Sequence, residues 1–403
     1  MMGYEGHSLL TKKLNVIAFL NLLLEVTGGE SRFVELMKRL CENGAIDLTV
    51  VTSSMGRNFC KERGLSAKFK ISTCADDKLI AGLTKLRGRR LYLATLTVYA
   101  FRTFKTLFKL TNGSDVIIAV SHYSQDILPA TFQHLINPKS KLVVYHHGIL
   151  IPPEHGLFLR TGSILYNYVG SLLAIQFSNL IFTINKSTWN YLQRLGAKND
   201  KVVITSNGVN VNELNKVVGD TKYYDACFLG RLNKSKGVLD LPKVWAIVCQ
   251  TRPNAKLIIA GSGTEMDEVK KMVKNLHLEG NIVLTGLLSE DKKYEILGNS
   301  RVFMYPSYLE SWGIAIAESM ACGLPVIAYN LPVYKEVFSD RLITVPLGSV
   351  DSMADQILLL LENPDVARKI GEACKEFVKR YDWGVVADRE LSAILALKGK
   401  EDE

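Results

Sequence analysis

Two glutamates with seven residues between them, Glu310 and Glu318, are the side chains whose type and spacing most directly suggest chemistry. They lie in VFMYPSYLESWGIAIAESMACGLPVIAYN, residues 302–330. The apolar run Val302–Tyr305 suits a buried parallel strand, ended by Pro306 and Ser307. A helix over Gly313–Cys322 stops at Gly323, with Pro325 soon after, and a second strand covers Pro325–Tyr329. Glu310 then sits in a loop above a strand's carboxyl end, and Glu318 about a turn and a half into the helix. Both acids border one crevice, and the free amides around Gly313 and Ile314 point into it. A helix N-terminus carries unpaired N–H groups and partial positive charge, so an anionic ligand such as a diphosphate is favoured there. Taken alone, the stretch also describes a surface helix that happens to carry two glutamates.

Other stretches offer complementary chemistry. The strand Cys227–Gly230 is followed by Arg231 and Lys236, two cations above a sheet that could neutralise a departing diphosphate. Gly28 and Gly29 stand at a strand-to-helix turn, where backbone amides can approach a phosphate closely; an ordinary tight turn has the same residues. In LVVYHHG, His146 and His147 end a strand, the place where α/β proteins usually bind ligands, and no matching metal-ligand set accompanies them. Gly261-Ser262-Gly263 follows another strand but lacks a further glycine at dinucleotide spacing, and Met266 is bulky, which argues against a nicotinamide enzyme. Gly286-Leu287-Leu288 closes a further strand.

The Glu310–Glu318 pair, with the helix between and GLPVIA after it, resembles the signature of glycosyltransferase family 4, retaining sugar transferases of GT-B fold. The resemblance extends over most of the chain. It implies a nucleotide-diphosphate sugar as donor substrate, no obligatory cofactor or metal, and a hydroxyl acceptor. Gly28 and Gly29 would lie near the donor phosphates, and His147 would face the reaction centre, with His146 a wall or core residue. Arg231 and Lys236, beyond Gly230, would stabilise the leaving diphosphate together with the amides at Gly313 and Ile314. The loop at Gly261 and the backbone at Leu287 would line the nucleotide, Glu318 would hold the ribose hydroxyls, and Glu310 would contact the donor sugar. Asn207-Gly208-Val209 resembles the family segment leading out of the first domain, and Asp382-Trp383-Gly384 its tryptophan segment. Two departures are Pro242, early in an expected helix, and Tyr334-Lys335-Glu336, where relatives often have more glycine.

These residues need elements to position them. Apolar runs at Leu14–Leu20, Leu48–Val51, Val116–Val120, Leu142–Tyr145, Leu180–Ile184 and Val202–Thr205 alternate with amphipathic segments, which argues for a doubly wound parallel sheet. A chain of 403 residues exceeds one ordinary core. The expected architecture is α/β: two Rossmann-like domains facing a cleft, 1–210 for the acceptor and 211–381 for the nucleotide-sugar. Residues 211–224 read as a polar linker, and a helix over 382–399 crosses back to the first domain.

Composition narrows the surroundings. Charged residues at 22% and hydrophobic residues at 47% describe a globular chain. Seven cysteines show no paired spacing, which favours reduced thiols in a cytoplasmic protein. No secretory signal is evident, and LNVIAFLNLLLEV falls short of the ~20 residues a membrane span needs. Residues 1–205 carry 25 Lys/Arg against 13 Asp/Glu, a charge of +12, and the remainder 24 against 27, or −3. Residues 85–110 hold seven basic residues and no acid. Phe101, Phe104, Leu107 and Phe108 recur at helical spacing, with Arg102, Lys105 and Lys109 on another side. A basic amphipathic helix of this kind can lie at an anionic membrane face, the partner favoured over nucleic acid; a core-packed helix with a solvated basic face is the plainer alternative. The leading expectation is transfer to a lipid-linked or glycolipid acceptor at the inner face of the cell membrane. A soluble acceptor on the same fold, or a non-catalytic partner subunit, are the alternatives.

Overall fold

Short apolar runs can satisfy their backbone hydrogen bonds only by pairing, and here they pair into two parallel sheets. The computed structural model describes residues 13–21, 28–73, 88–107, 113–148, 157–217 and 222–399. The opening residues 1–12, Cys74, the ends of the basic stretch at 85–87 and 108–110, residues 218–221 and the tail 400–403 lie outside the described residues. The chain forms two compact units: one runs to Ser206 and resumes at Gly384, the other spans Asn207–Trp383.

The first unit contains β1 (Leu14–Leu20), α1 (Gly28–Glu42), β2 (Ile46–Ser53), α2 (Ser54–Glu62), β3 (Lys68–Thr73), α3 (Gly88–Leu107), β4 (Val116–Ala119), α4 (Ser124–Ile136), β5 (Lys141–His146), α5 (Leu157–Phe177), β6 (Leu180–Thr183), α6 (Lys186–Arg194) and β7 (Val202–Ile204). Its strand order is β3-β2-β1-β4-β5-β6-β7. The chain therefore winds outward from β1, then returns to its other side at β4, and this reversal opens a ligand crevice at the strands' carboxyl ends. On one sheet face, Ile17, Ile117, Leu142 and Ile181 pack against Ile127 and Ala130 of α4 and Ala174 of α5. Strand β3 was not evident from the sequence. Its KFKIST pattern has lysines where the interior parallel strands are apolar, and the sheet places it at an edge, where charge deters pairing with another chain.

The second unit contains α7 (Val211–Lys216), β8 (Tyr224–Leu229), α8 (Asp240–Thr251), β9 (Leu257–Ala260), α9 (Met266–Asn275), β10 (Ile282–Gly286), α10 (Glu290–Gly298), β11 (Ser300–Tyr305), α11 (Ile314–Ala321), β12 (Val326–Tyr329), α12 (Pro332–Phe338), β13 (Ile343–Val345), α13 (Val350–Glu362) and α14 (Pro364–Val378). The order β10-β9-β8-β11-β12-β13 reverses between β8 and β11. Residues 211–216 are helical rather than linker, because Val211 and Leu214 are buried at helical spacing. Pro242 is the third residue of α8, where its missing N–H has no helical acceptor to lose. Tyr334 is buried within α12.

A last helix, α15 (Trp383–Gly399), packs within the first unit. It is held by a fully buried ion pair between Arg32 of α1 and Glu390. Glu390 also accepts from Thr205 Oγ1 at 2.7 Å and from Tyr145 OH at 2.6 Å. Arg32 in turn donates to Thr205 Oγ1 and to Ser206 O, and its guanidinium lies 5.0 Å from the Tyr145 ring centre.

The core-packed alternative for α3 is overturned: of the basic residues expected on one side, Lys105 is exposed but Arg102 is buried, along with Val98, Thr103 and Thr106, while Phe101 and Phe104 face outward. Amphipathic spacing identifies two faces, but which one turns inward depends on the neighbours. Here α3 packs against α4 and β3 with its arginine and threonine side.

Candidate functional site

Most residues singled out for chemistry follow the carboxyl end of a strand or open the helix after it; His146 is the last residue of β5 and Glu318 lies mid-way along α11. In the first unit, α1 begins at Gly28, and a side chain on Gly29 would place its Cβ 2.6 Å from His147 Cδ2. Glycine is needed there so that the helix start can abut the imidazole. His147 Nε2 lies 2.7 Å from Val120 O. A carbonyl can only accept, so Nε2 carries the proton and Nδ1 is left as the acceptor nitrogen. Burial, reinforced by the Arg32 cation, lowers the His147 pKa to about 4 against the opposing bond to Val120. The ring is therefore neutral at physiological pH and presents a lone pair rather than a charge.

Behind it, His146 is wholly buried and stacks on His122 with ring centres 3.7 Å apart. Their Nε2 atoms meet Ser171 Oγ at 3.0 Å and Asn167 Oδ1 at 2.8 Å. Burial holds both neutral, lowering His122 to about 3 and His146 well below its ordinary value. His146 is a core residue.

Asp126, in the first turn of α4, carried no signal in the sequence. It accepts from Ser121 Oγ at 2.6 Å and from the Asn21 amide at 2.8 Å. Burial nonetheless outweighs these bonds and raises its pKa to about 7.

In the second unit, Gly230, Arg231, Gly261 and Leu287 line one cavity of about 170 Å3. Its walls come from the turns after β8, β9 and β10. Gly261 makes this possible: its φ is 142°, and a Cβ there would lie 1.8 Å from Gly230 O. Arg231 is exposed and pairs with no carboxylate among the described residues.

Lys293 of α10 also lines this cavity and was missed in the sequence, where it is one of two adjacent lysines in EDKK. Its ammonium lies 2.7 Å from Glu318 Oε1 and 2.8 Å from Glu290 Oε2. Burial lowers its pKa, but Glu318 and Glu290 prevail and the net shift is upward. Glu318 is buried on α11, so the lysine supplies the countercharge that a buried carboxylate needs.

A second cluster forms around Glu310. Its Oε2 accepts from Lys236 Nζ and from Tyr305 OH, the latter at 2.9 Å, and Oε1 accepts from the Ser311 amide. Gly237 allows the lysine's turn to close on the next strand: with φ 63°, a Cβ would meet Pro306 O at 1.8 Å. Gly313 caps α11 at φ 105°, which leaves the amides from Ile314 onward at the helix start.

A larger cavity, about 340 Å3, lies at the amino ends of β11 and β12, lined by Ser300, Leu324 and Pro325 among others. Ligands of open parallel sheets bind at the opposite ends, so the smaller cavity is the better candidate. Among the described residues, no cluster of three or more His, Cys, Asp or Glu side chains could hold a metal ion.

The chain's similarity to known proteins agrees with this geometry. Residues 211–377 match the family model of the glycosyl transferases group 1. An uncharacterized glycosyltransferase of Methanocaldococcus jannaschii is 24% identical over 70% of this chain and 75% of its own length. Phosphatidyl-myo-inositol mannosyltransferase of Mycobacterium leprae is 30% identical over 45% of this chain, an alignment spanning half of that relative. Among solved structures, Anabaena HepE in complex with UDP superimposes with a TM-score of 0.69 at 16% identity, covering 95% of this chain and 100% of that one. At that identity the likeness establishes the fold, two Rossmann-like parallel-sheet domains of the GT-B class.

Proposed function

We infer that the chain, whose residues 211–377 match the family model of the glycosyl transferases group 1, is a glycosyltransferase, and more finely a retaining family 4 enzyme using a nucleotide-diphosphate sugar. The acceptor is the hydroxyl of a lipid-linked molecule or glycolipid at the cytoplasmic face of a membrane. The observation that carries the donor reading is the convergence of Gly230, Arg231, Gly261, Leu287 and Lys293 on one cavity, with Lys293 bound to Glu318. UDP in the HepE structure and the lipid named in the mycobacterial relative support donor and acceptor class respectively.

In this reading Glu318 accepts from the ribose hydroxyls, and Lys293 holds its carboxylate in place by the ion pair. Arg231, Lys236 and the Ile314 amide receive the diphosphate as negative charge builds on it, preorganised donors in place before the bond breaks. Lys236 is paired with Glu310 before the donor arrives. Exchange of that partner for phosphate would free Glu310 to accept from a hydroxyl of the sugar. His147 acts through Nδ1 as a hydrogen-bond acceptor that orients sugar and acceptor, and its neutrality excludes it as a proton donor at neutral pH. Gly28 and Gly29 bring the amides of α1 toward the phosphates. No cofactor or metal is required by this scheme.

The test is thermal stabilisation of the full chain by UDP-, GDP- and ADP-sugars, repeated with Glu318→Ala. A ligand at a hundredfold excess over its dissociation constant adds about 2.7 kcal/mol to the folded state. Stabilisation by one nucleotide class, lost in the variant, is the expected result. Folded protein that responds to none of them would overturn the donor reading and favour a non-catalytic subunit.

A further inference from the structure

We propose that the outer faces of α3, α4 and α5 form a single docking surface that inserts apolar side chains into an anionic bilayer interface. The proposal rests on the membrane-face reading above and supplies its physical contact. Three observations carry it.

First, the apolar side chains are on the wrong side for a core. Helix α4 turns Ile127 and Ala130 onto the sheet, yet leaves Leu128, Phe132, Leu135 and Ile136 exposed at spacings of four, three and one. Helix α5 buries Ala174 against the same sheet face while exposing Ile164, Leu165, Tyr168, Val169 and Leu172. Leu135 and Leu165 retain 59% and 61% of their accessible surface. Isolated exposed hydrophobic residues are ordinary, but outward stripes on adjacent helices are the mark of an interaction site.

Second, the helices are neighbours. Right-handed crossovers from β3 to β4, β4 to β5 and β5 to β6 place α3, α4 and α5 on one face of the sheet. Helix α4 packs against both α3 and α5. The inverted orientation of α3 adds Phe101 and Phe104 to the same outer layer.

Third, the charge selects the occupant. The segments of these three helices contain one acid, Asp126, which is buried, while Arg90 and Lys105 are exposed. The half of the chain that holds them carries +12. A second copy would set cation against cation with no carboxylate to pair. A bilayer with anionic headgroups supplies both the negative charge and an apolar layer deep enough for side chains reaching roughly 5–10 Å. No helix among the described residues is long and apolar enough to cross a membrane.

The experiment is co-sedimentation of the full chain with phosphatidylcholine vesicles containing about a third phosphatidylglycerol, compared with pure phosphatidylcholine. Wild-type protein should partition to the anionic vesicles. Leu165→Glu and Phe132→Glu, both at exposed positions, should each lower the partition coefficient about tenfold while keeping the wild-type melting temperature. Should either variant fold poorly, an environment-sensitive dye on Leu165→Cys provides the second measure: its emission should shift to the blue with anionic vesicles, and a dye on Val366→Cys in α14 should not. Absence of wild-type binding, unchanged binding of both glutamate variants, or a dimer in light scattering that Leu165→Glu dissociates would each overturn the proposal. The assay contains neither donor nor acceptor, so its failure leaves the transferase reading untouched, and failure of the nucleotide-sugar screen leaves this one standing.

Discussion

Glu390→Ala should be among the most damaging single substitutions in the first unit. Its carboxylate is fully buried and accepts from Arg32, Thr205 and Tyr145. Removing it leaves the Arg32 guanidinium, 1% exposed, with a carbonyl and a hydroxyl as hydrogen-bond acceptors and the Tyr145 ring beside it. Breaking one side of a buried pair costs about 3–5 kcal/mol, because the surviving charge loses its compensation without regaining water. With a urea slope of roughly 3 kcal/mol per molar for a unit of this size, the midpoint of that unit's transition should fall by about 1–1.7 M. The double variant Arg32→Met/Glu390→Ala removes both charges, so its cost should fall short of the sum of Arg32→Met and Glu390→Ala by about 2–3 kcal/mol. Urea titrations followed by near-ultraviolet circular dichroism measure all four proteins. A midpoint shift under about 0.3 M for Glu390→Ala, or strict additivity in the cycle, would show that the pair does not anchor α15.

Other outcomes follow from the same geometry. Lys293→Ala leaves the buried Glu318 without its cation and should raise the donor dissociation constant ten- to a hundredfold, about 1.5–3 kcal/mol, read by calorimetry; an unchanged value would remove Lys293 from the site. Gly261→Ala drives a Cβ into Gly230 O and should abolish donor-dependent stabilisation while the first unit melts normally; retained donor binding would contradict the cavity's construction. His122 and His147 are held neutral by burial, so between about pH 6.5 and 4 the unfolded chain binds more protons and stability is lost as pH falls. Asp126, raised to about 7, acts in the opposite sense, because its folded form holds a proton that the unfolded form releases. Asp126→Asn should therefore steepen the acid destabilisation across that window, and a shallower curve would refute the assignment.

Much of the architecture was legible because interior parallel strands are buried on both faces and read as unbroken apolar runs. Leu14–Leu20 is identical as a run and as β1, and Glu310, Glu318 and the glycine turns fall where strand ends and helix starts were expected. The edge strands β3 and β13 escaped because one side of an edge meets solvent and the apolar run is short or interrupted. Sequence spacing also showed which residues share a face on α3, but not which face turns inward, since that is set by how the helix packs against α4 and β3. Lys293 could not be told from its neighbouring lysine until α10 placed its ammonium against Glu318, two elements later in the chain. The apolar stripes of α4 and α5 read equally as core or surface, and only the packing of their opposite sides on the sheet left them outward. Residue type and spacing determined the chemistry available to this chain and its strand-and-helix order. The pairing of distant charges, and the choice of which apolar faces meet the core, were decided by tertiary contacts whose energies depend on burial that no local pattern encodes.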